Sequence, residues 1–245
     1  MKIIAVIPAR FEASRFPGKL MEKLGDKSVI ATTYENVVAT GLFSQVFVAT
    51  DSPVIKQEID SLGGHAVLTG PADTGSDRIA EATRDIECDI VLNVQGDEPF
   101  IERKPLEDLI EVFRQDQRRE VSLASLKMRL QDEHEIRSPH NVKVVTDLKG
   151  NALYFSRSVV PYARESSVEV RYYKHIGVYA FRKQALQEFA RLSASPLEIA
   201  EKIECLRYLE NGMKIRMVET QFVGVGIDVP EDLEKAKAIM KNGLK

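Results

Sequence analysis

The first hundred residues alternate two kinds of apolar pattern. Ile3–Ile7 is an unbroken apolar run, as a strand buried on both faces requires, and Pro8 is expected to end it. From about Val29 to Thr40 the apolar positions recur at helical spacing. Val46–Ala49 reads as a strand, Val54–Leu62 as a helix and Ala66–Leu68 as a short strand. Asp77–Arg84 is helical, Ile90–Val94 a strand and Pro105–Phe113 a helix. Strands separated by helices in this way imply βαβ crossovers, a mostly parallel sheet and an α/β fold.

The middle of the chain changes period. Val142–Thr146 and Ala152–Phe155 flank the turn-rich Asp147-Leu-Lys-Gly-Asn151, which predicts an antiparallel hairpin. Lys174–Phe181 is a further strand with no long helix before it. This hairpin-rich stretch is a candidate lid or oligomer surface. Helical signals then return. Ser195-Pro-Leu-Glu198 is a capping box with Pro at the first helical position, and predicts a helix to about Asn211, stopped by Gly212. A strand is expected near Lys214–Val218. A last helix opens at Pro230, with Leu233, Ala236 and Met240 on one face.

Composition narrows the partners. The apolar fraction of 44% supports a sizeable core, and the 29% of charged residues leave a net charge of −3. Nucleic acid selects strongly basic faces, so it is not the expected partner. A small anion needs only local cations. The two cysteines, Cys88 and Cys205, are far apart and suggest neither a disulfide framework nor a zinc site. No apolar run approaches the roughly 18 residues that span a bilayer, and Pro8 and Arg10 come too early for a signal-peptide core. The chain reads as cytosolic, with no membrane partner.

Candidate chemistry gathers where strands end. Arg10, Arg15 and Lys19 follow the first strand in Pro8-Ala-Arg10 and Ser14-Arg-Phe-Pro-Gly-Lys19. Ligands of open α/β sheets bind beyond the carboxyl ends of strands, and three cations there suit a polyphosphate. The loop is not a Walker A motif: Ala13 stands where its first Gly should be, and Leu20 replaces the hydroxyl residue. Asn93-Val-Gln-Gly-Asp97 follows another apolar strand. Gly96 is expected to let a ligand approach the backbone, and Asp97 either caps the turn ahead of the Pro105 helix or, beside phosphates, calls for a bridging cation such as Mg²⁺. Asp228 is a second carboxylate, and by spacing it is equally an N-cap for the last helix. Thr74-Gly-Ser-Asp-Arg78 suits either an anion at a helix N-terminus or a plain cap. Thr50 and Asp51 either line a base pocket or make a turn. His175, with Arg157, Arg164 and Tyr179 near it in sequence, suits a pocket for an acidic, hydroxyl-rich ligand, although a lone histidine in a strand is more often structural.

Taken together, these segments resemble the 3-deoxy-manno-octulosonate cytidylyltransferase (CMP-Kdo synthetase) family. The likeness runs in order through Ile7-Pro-Ala-Arg-Phe11, Ser14–Lys19, Phe47–Asp51, Gly75–Arg78 and Asn93–Pro99. It continues through Asn141–Val145, Ala152–Arg157, His175–Tyr179, Ser195–Glu198 and Asp228–Leu233. The resemblance implies a three-layer α/β/α nucleotidyltransferase fold over a single domain, 1–245. Within it, a hairpin-rich insert at about 125–185 would serve sugar binding and homodimer contact. The implied reaction is transfer of CMP from CTP to Kdo, with pyrophosphate released and Mg²⁺ as cofactor. The alternative is another acidic sugar, such as 8-amino-Kdo or sialic acid. Pro8, Ala9, Arg10, Arg15, Lys19, Thr50, Asp51, Ser76, Arg78, Gln95, Gly96 and Asp97 match nucleotide-binding positions. Asp97 and Asp228 match the metal-ligating aspartates, with Lys19 and Arg15 beside them as catalytic cations. Arg164, His175, Tyr179, Glu204 and Cys205 match the sugar pocket. Cys205 replaces the family's usual Gln, and Val229 its usual Thr before Pro230.

Overall fold

β1 (Ile3–Ala9) is buried along its whole length, with Ile4, Ala5, Val6 and Ile7 fully enclosed. Each such Ile or Val stabilises the fold by about 1.5–3 kcal/mol relative to exposure. The strand is the centre from which the rest of its unit is built. In the computed structural model the described residues are 1–12, 15–72, 74–165, 167–222 and 224–242. Ser14 and Ala13, read above as part of the cationic loop, lie outside them. After β1 come a 3-10 turn (Lys19–Met21), β2 (Lys23–Leu24), β3 (Lys27–Ser28), α1 (Val29–Ala39), β4 (Gln45–Thr50) and α2 (Pro53–Ser61). Next are β5 (Ala66–Leu68), α3 (Gly75–Ala82), β6 (Ile90–Asn93), α4 (Arg103–Gln115), β7 (Leu123–Leu130) and α5 (Glu133–Arg137). Then follow β8 (Lys143–Thr146), β9 (Ala152–Ser156), β10 (Tyr172–Arg182), α6 (Lys183–Phe189) and α7 (Pro196–Glu201). The last are α8 (Cys205–Glu210), β11 (Ile215–Glu219) and α9 (Pro230–Asn242).

The chain divides into two units. The first comprises 1–103 with the described part of 223–245, and the second comprises 104–222. In the first, β1 pairs in parallel with β4 on one side and β6 on the other, and β4 pairs in parallel with β5. Pro8 does not end β1, contrary to expectation. It stays in register opposite Ala49. The reason is which edge it faces. Val6 accepts from Val94 on the β6 side, so Pro8, two residues on, turns its missing N–H to that same side, where the pairing has stopped at Val6–Asn93. Ser28 caps α1 by accepting from the Ala31 N–H, and Ser52 caps α2 from Ile55. α3 starts at Gly75, before the expected Asp77, because Thr74 and Asp77 close a reciprocal capping box.

In the second unit, β7 lies between β10, antiparallel, and β11, parallel. β8 pairs with β10 and with β9. The expected hairpin is present as β8–β9, and Asp147 closes its turn by accepting from the Lys149 and Asn151 N–H groups. Lys143 is fully buried, yet its ammonium donates to the carbonyls of Ser138, Asn141 and Arg157. Those three bonds use every proton it has.

Two expectations for the C-terminal third are corrected. The helix predicted from Ser195 to Asn211 is two helices, α7 and α8, broken at Lys202 in the left-handed region (φ 55°). Arg157 holds the break open by donating to the Glu201 carbonyl at 2.7 Å, while the Glu201 carboxylate accepts from Ser156 and the Arg157 N–H. Leu233 and Ala236 are buried on α9 as expected, but Met240 is exposed. Its sulfur lies over Gly25, where a Cβ would fall within 2.9 Å of it.

Candidate active site

Because β1 has β4 on one side and β6 on the other, the chain leaves it in opposite directions at this point of the sheet. Such a switch point opens a crevice beyond the carboxyl ends of the two strands. Ala9, next after Pro8, is the last residue of β1 at this crevice, and Arg10, which follows, is exposed. Gln95, Gly96 and Asp97 follow β6. Gly96 also has a packing reason to lack a side chain. A Cβ there would come within 3.1 Å of the Pro8 carbonyl and the Ile30 side chain, so its absence lets β1, α1 and the post-β6 loop close on one another.

Asp97 and Asp228 are far apart in sequence and adjacent in space. The Ile227 N–H donates to the Asp97 carbonyl at 3.0 Å, which sets the next residue, Asp228, beside Asp97. Gly224 and Gly226 make the same junction possible, because a Cβ on either would run into the Glu98 carboxylate. Lys19 reaches in from the 3-10 turn. Its ammonium donates to Asp97 Oδ2 at 2.5 Å and to Asp228 Oδ1 at 2.9 Å, and Arg15 donates to Asp228 Oδ2 at 3.1 Å. Gly18 (φ 71°) makes the bend ahead of Lys19 and donates its N–H to the Phe11 carbonyl, closing the loop back on itself. Burial alone would lower the Lys19 pKa, but the two carboxylates outweigh it and hold the pKa above its ordinary value. The ammonium is therefore a cation seated between two carboxylates.

The Asp228 carboxylate is engaged by side chains and accepts no N–H of α9 among the described residues. Its carboxylate faces Lys19 and Arg15, while the N–H groups of Asp228 and Val229 donate to Asp232 at 3.2 and 3.3 Å. Asp232, in the first turn of α9, thus accepts from the two residues just ahead of the helix, while Asp228, which by spacing was equally a cap or a ligand, turns its carboxylate to the cations.

Arg78 and Asp51, read separately in the sequence, form one unit. Arg78 is buried on α3 and donates to Asp51 at 2.6 Å and to Thr69 Oγ1 at 2.5 Å. It ties the ends of β4 and β5 to α3. Thr50 is fully buried and accepts from the Ser52 N–H, and Ser76 is buried at the start of α3. Gln95 donates weakly to Asn93 at 3.4 Å.

In the second unit, His175, Tyr179 and Cys205 come together. His175 is half-buried with its ring between Phe155 (centroids 5.1 Å) and Tyr179 (5.5 Å), and the Cys205 sulfur lies 3.8 Å from the Tyr179 hydroxyl. Burial pushes the His175 pKa down to about 4, so the ring is neutral at pH 7. Burial raises the Tyr179 and Cys205 pKa values, and the nearby Glu204 charge adds to both. Arg164 is not drawn into this cluster. It is exposed after β9, with no hydrogen bond or ion pair among the described residues. Arg157 is committed to the α7–α8 break instead. Ser125, which the sequence reading passed over, touches His175 directly.

A cationic loop and paired carboxylates at the switch point of a parallel sheet define an α/β enzyme of the nucleotidyltransferase class. A family model described as cytidylyltransferase matches residues 4–215. A 3-deoxy-manno-octulosonate cytidylyltransferase of Flavobacterium johnsoniae is 56% identical over 99% of this chain and all of its own, and one of Geobacter metallireducens is 42% identical over 96% of each. The chain belongs to the cytidylyltransferase family, among the 3-deoxy-manno-octulosonate cytidylyltransferases. A solved CMP:2-keto-3-deoxy-manno-octonic acid synthetase complexed with CTP is similar over 99% of both chains, with a TM-score of 0.93 and 38% identity. A 4-diphosphocytidyl-2C-methyl-D-erythritol synthase of Anaerococcus prevotii, at 16% identity and a TM-score of 0.65, shares the fold.

Proposed function

We propose that this protein transfers CMP from CTP to Kdo and releases pyrophosphate. The observation that carries this reading is the Lys19–Asp97–Asp228 cluster at the sheet's switch point, in a chain of this family. In the reaction the anomeric hydroxyl oxygen of Kdo forms a bond to the α-phosphorus of CTP. The bond from that phosphorus to the α–β bridging oxygen breaks, pyrophosphate leaves with its electron pair, and the hydroxyl proton passes to solvent. Catalysis of this kind rests on positioning and on neutralising charge.

The chain's own residues divide that work. Arg10, Arg15 and Lys19 bind the triphosphate, with Lys19 turning from the carboxylates to the phosphates. The Arg78–Asp51 pair and Thr50 shape the nucleoside side of the site, with Ser76, Gln95, Pro8 and Ala9. His175, Tyr179, Cys205 and Glu204 line the sugar site, and Arg164 meets the Kdo carboxylate. Two carboxylates that already share one cation fit Mg²⁺, a hard ion that takes oxygen ligands. Among the described residues no group of three or more His, Cys, Asp or Glu could hold a metal, so its other ligands would come from water and substrate oxygens. When bound by Asp97 and Asp228, Mg²⁺ would supply charge to screen the phosphates and acidify the attacking hydroxyl.

The hairpin stretch at about 125–185 serves as a homodimer contact, and sedimentation at micromolar concentration tests it: a particle of single-chain mass alone would contradict it. No helix among the described residues is long and apolar enough to cross a membrane. Incubation with CTP and each of Kdo, 8-amino-Kdo and sialic acid, with products identified by mass, tests the substrate. CMP–Kdo should dominate, and preferential use of either other sugar would overturn the assignment.

A further inference from the structure

Ser125 is fully buried on β7, opposite a bulge in β10. The pairing passes from Ile176–Leu126 directly to Tyr179–Ser125, so Gly177 and Val178 have no partners across the ladder. The Ser125 hydroxyl fills the gap. It lies 2.9 Å from His175 Nε2, 3.1 Å from the Ile176 carbonyl and 2.9 Å from the Val178 carbonyl.

A hydroxyl has one proton to place among these three. If it went to His175 Nε2, both carbonyls would face the serine oxygen with no proton between them. If it goes to a carbonyl, His175 Nε2 must itself carry a proton, which it donates to Oγ. The second arrangement makes two hydrogen bonds where the first makes one, in a buried site where unmet acceptors are costly. Carbonyl oxygens cannot donate, so nothing else in the cluster can reverse this order. The ring is held edge-on by Phe155 and tilted against Tyr179, and the His175 backbone N–H is fixed to the Val142 carbonyl at 2.8 Å. Its second nitrogen, Nδ1, makes no hydrogen bond to any described residue.

We propose that Ser125 is a positioning residue that locks His175 in the Nε2–H tautomer, so that Nδ1 is presented as an acceptor for a hydroxyl of the bound sugar. The tautomer follows from the protein alone. The identity of the donor rests on the function proposed above. A site of this kind favours a ligand with a hydroxyl at that position over one lacking it, because the deoxy ligand leaves Nδ1 unpaired.

The test is nitrogen NMR on the full-length protein labelled with ¹⁵N-histidine, with the His175 signals assigned by their loss in His175→Asn. Wild type should show a protonated Nε2 and an unprotonated Nδ1. Adding Kdo should move the Nδ1 signal and leave the Nε2 proton in place. Ser125→Ala should abolish the tautomer preference and raise KM for Kdo about tenfold, the usual worth of one hydrogen bond, with KM for CTP unchanged. Ser125→Thr, which keeps the hydroxyl, should restore both. A protonated Nδ1 in wild type would overturn the proposal, as would an Nδ1 signal indifferent to Kdo; neither needs the alanine variant to fold. Failure of wild type to make CMP–Kdo would instead strike at the proposed function, and would leave the tautomer result standing.

Discussion

Replacing Lys19 with Met removes the ammonium that Asp97 and Asp228 share and keeps the stem that packs around it. Lys19 is only 12% exposed at its side chain, against 25% for Asp97 and 50% for Asp228, so the pair with Asp97 is the less screened of the two. A hydrogen bond to a charged group is worth about 1.5–3 kcal/mol. A divalent cation entering the free wild-type protein must displace at least one such bond. Without Lys19 it enters two carboxylates that repel each other, by about 3 kcal/mol for unit charges about 5 Å apart at an effective dielectric of about 20. Lys19→Met should therefore bind Mn²⁺ in the absence of nucleotide about 10- to 100-fold more tightly than wild type. Free Mn²⁺ is read directly by electron paramagnetic resonance during a titration. The same variant should lose turnover, since a phosphate-binding cation is gone. Equal Mn²⁺ affinity in variant and wild type would refute the reasoning, because Lys19 would then not be competing for the carboxylates.

Two further outcomes are expected. Asp228→Asn should leave thermal stability within about 1 kcal/mol of wild type, because exposed ion pairs contribute little and the Asp228 backbone N–H, which donates to Asp232, is kept; activity should fall at least about a hundredfold, or about 2.7 kcal/mol. Asp97→Asn should match it in activity, with the double variant far from additive; near-normal turnover of Asp228→Asn at saturating Mg²⁺ would remove it from the metal site. Between pH 6.5 and about 4 the unfolded chain protonates His175 while the folded chain keeps it neutral, so this residue should cost stability as pH falls through that window. Denaturant midpoints at pH 7 and pH 5 should accordingly diverge more for wild type than for His175→Asn, and identical shifts would contradict a ring held neutral by its surroundings.

The parts of this protein that could be read from its sequence are those fixed locally. β1, β4 and β6 are apolar runs that only a doubly covered strand explains, and the capping signals at Thr74 and Ser195 act within three residues. β7 was missed because Lys127 and Arg129 interrupt its apolar run, although Leu123, Ala124, Leu126 and Leu130 are buried. The α7–α8 break could not be read from 195–211, because the groups that hold it open belong to Arg157 and Ser156. The same holds at the site. Charge at strand ends pointed to Lys19 and Asp97, but whether Asp228 caps a helix or faces Lys19 depends on a backbone bond from Ile227 to Asp97. Gly96 could be read as a residue that needs to lack a side chain, but its close packing against the Pro8 carbonyl and Ile30 could not, because those neighbours come from β1 and α1.

Pyrophosphate release tests the cytidylyl transfer most directly. The complete mixture of protein, CTP, Kdo and Mg²⁺ should release one pyrophosphate for each CMP–Kdo formed. Omission of Kdo, omission of the metal with excess EDTA, or replacement of CTP by ATP should each abolish it. Release that persists without Kdo, or that ATP supports as well as CTP, would contradict transfer of CMP to this sugar.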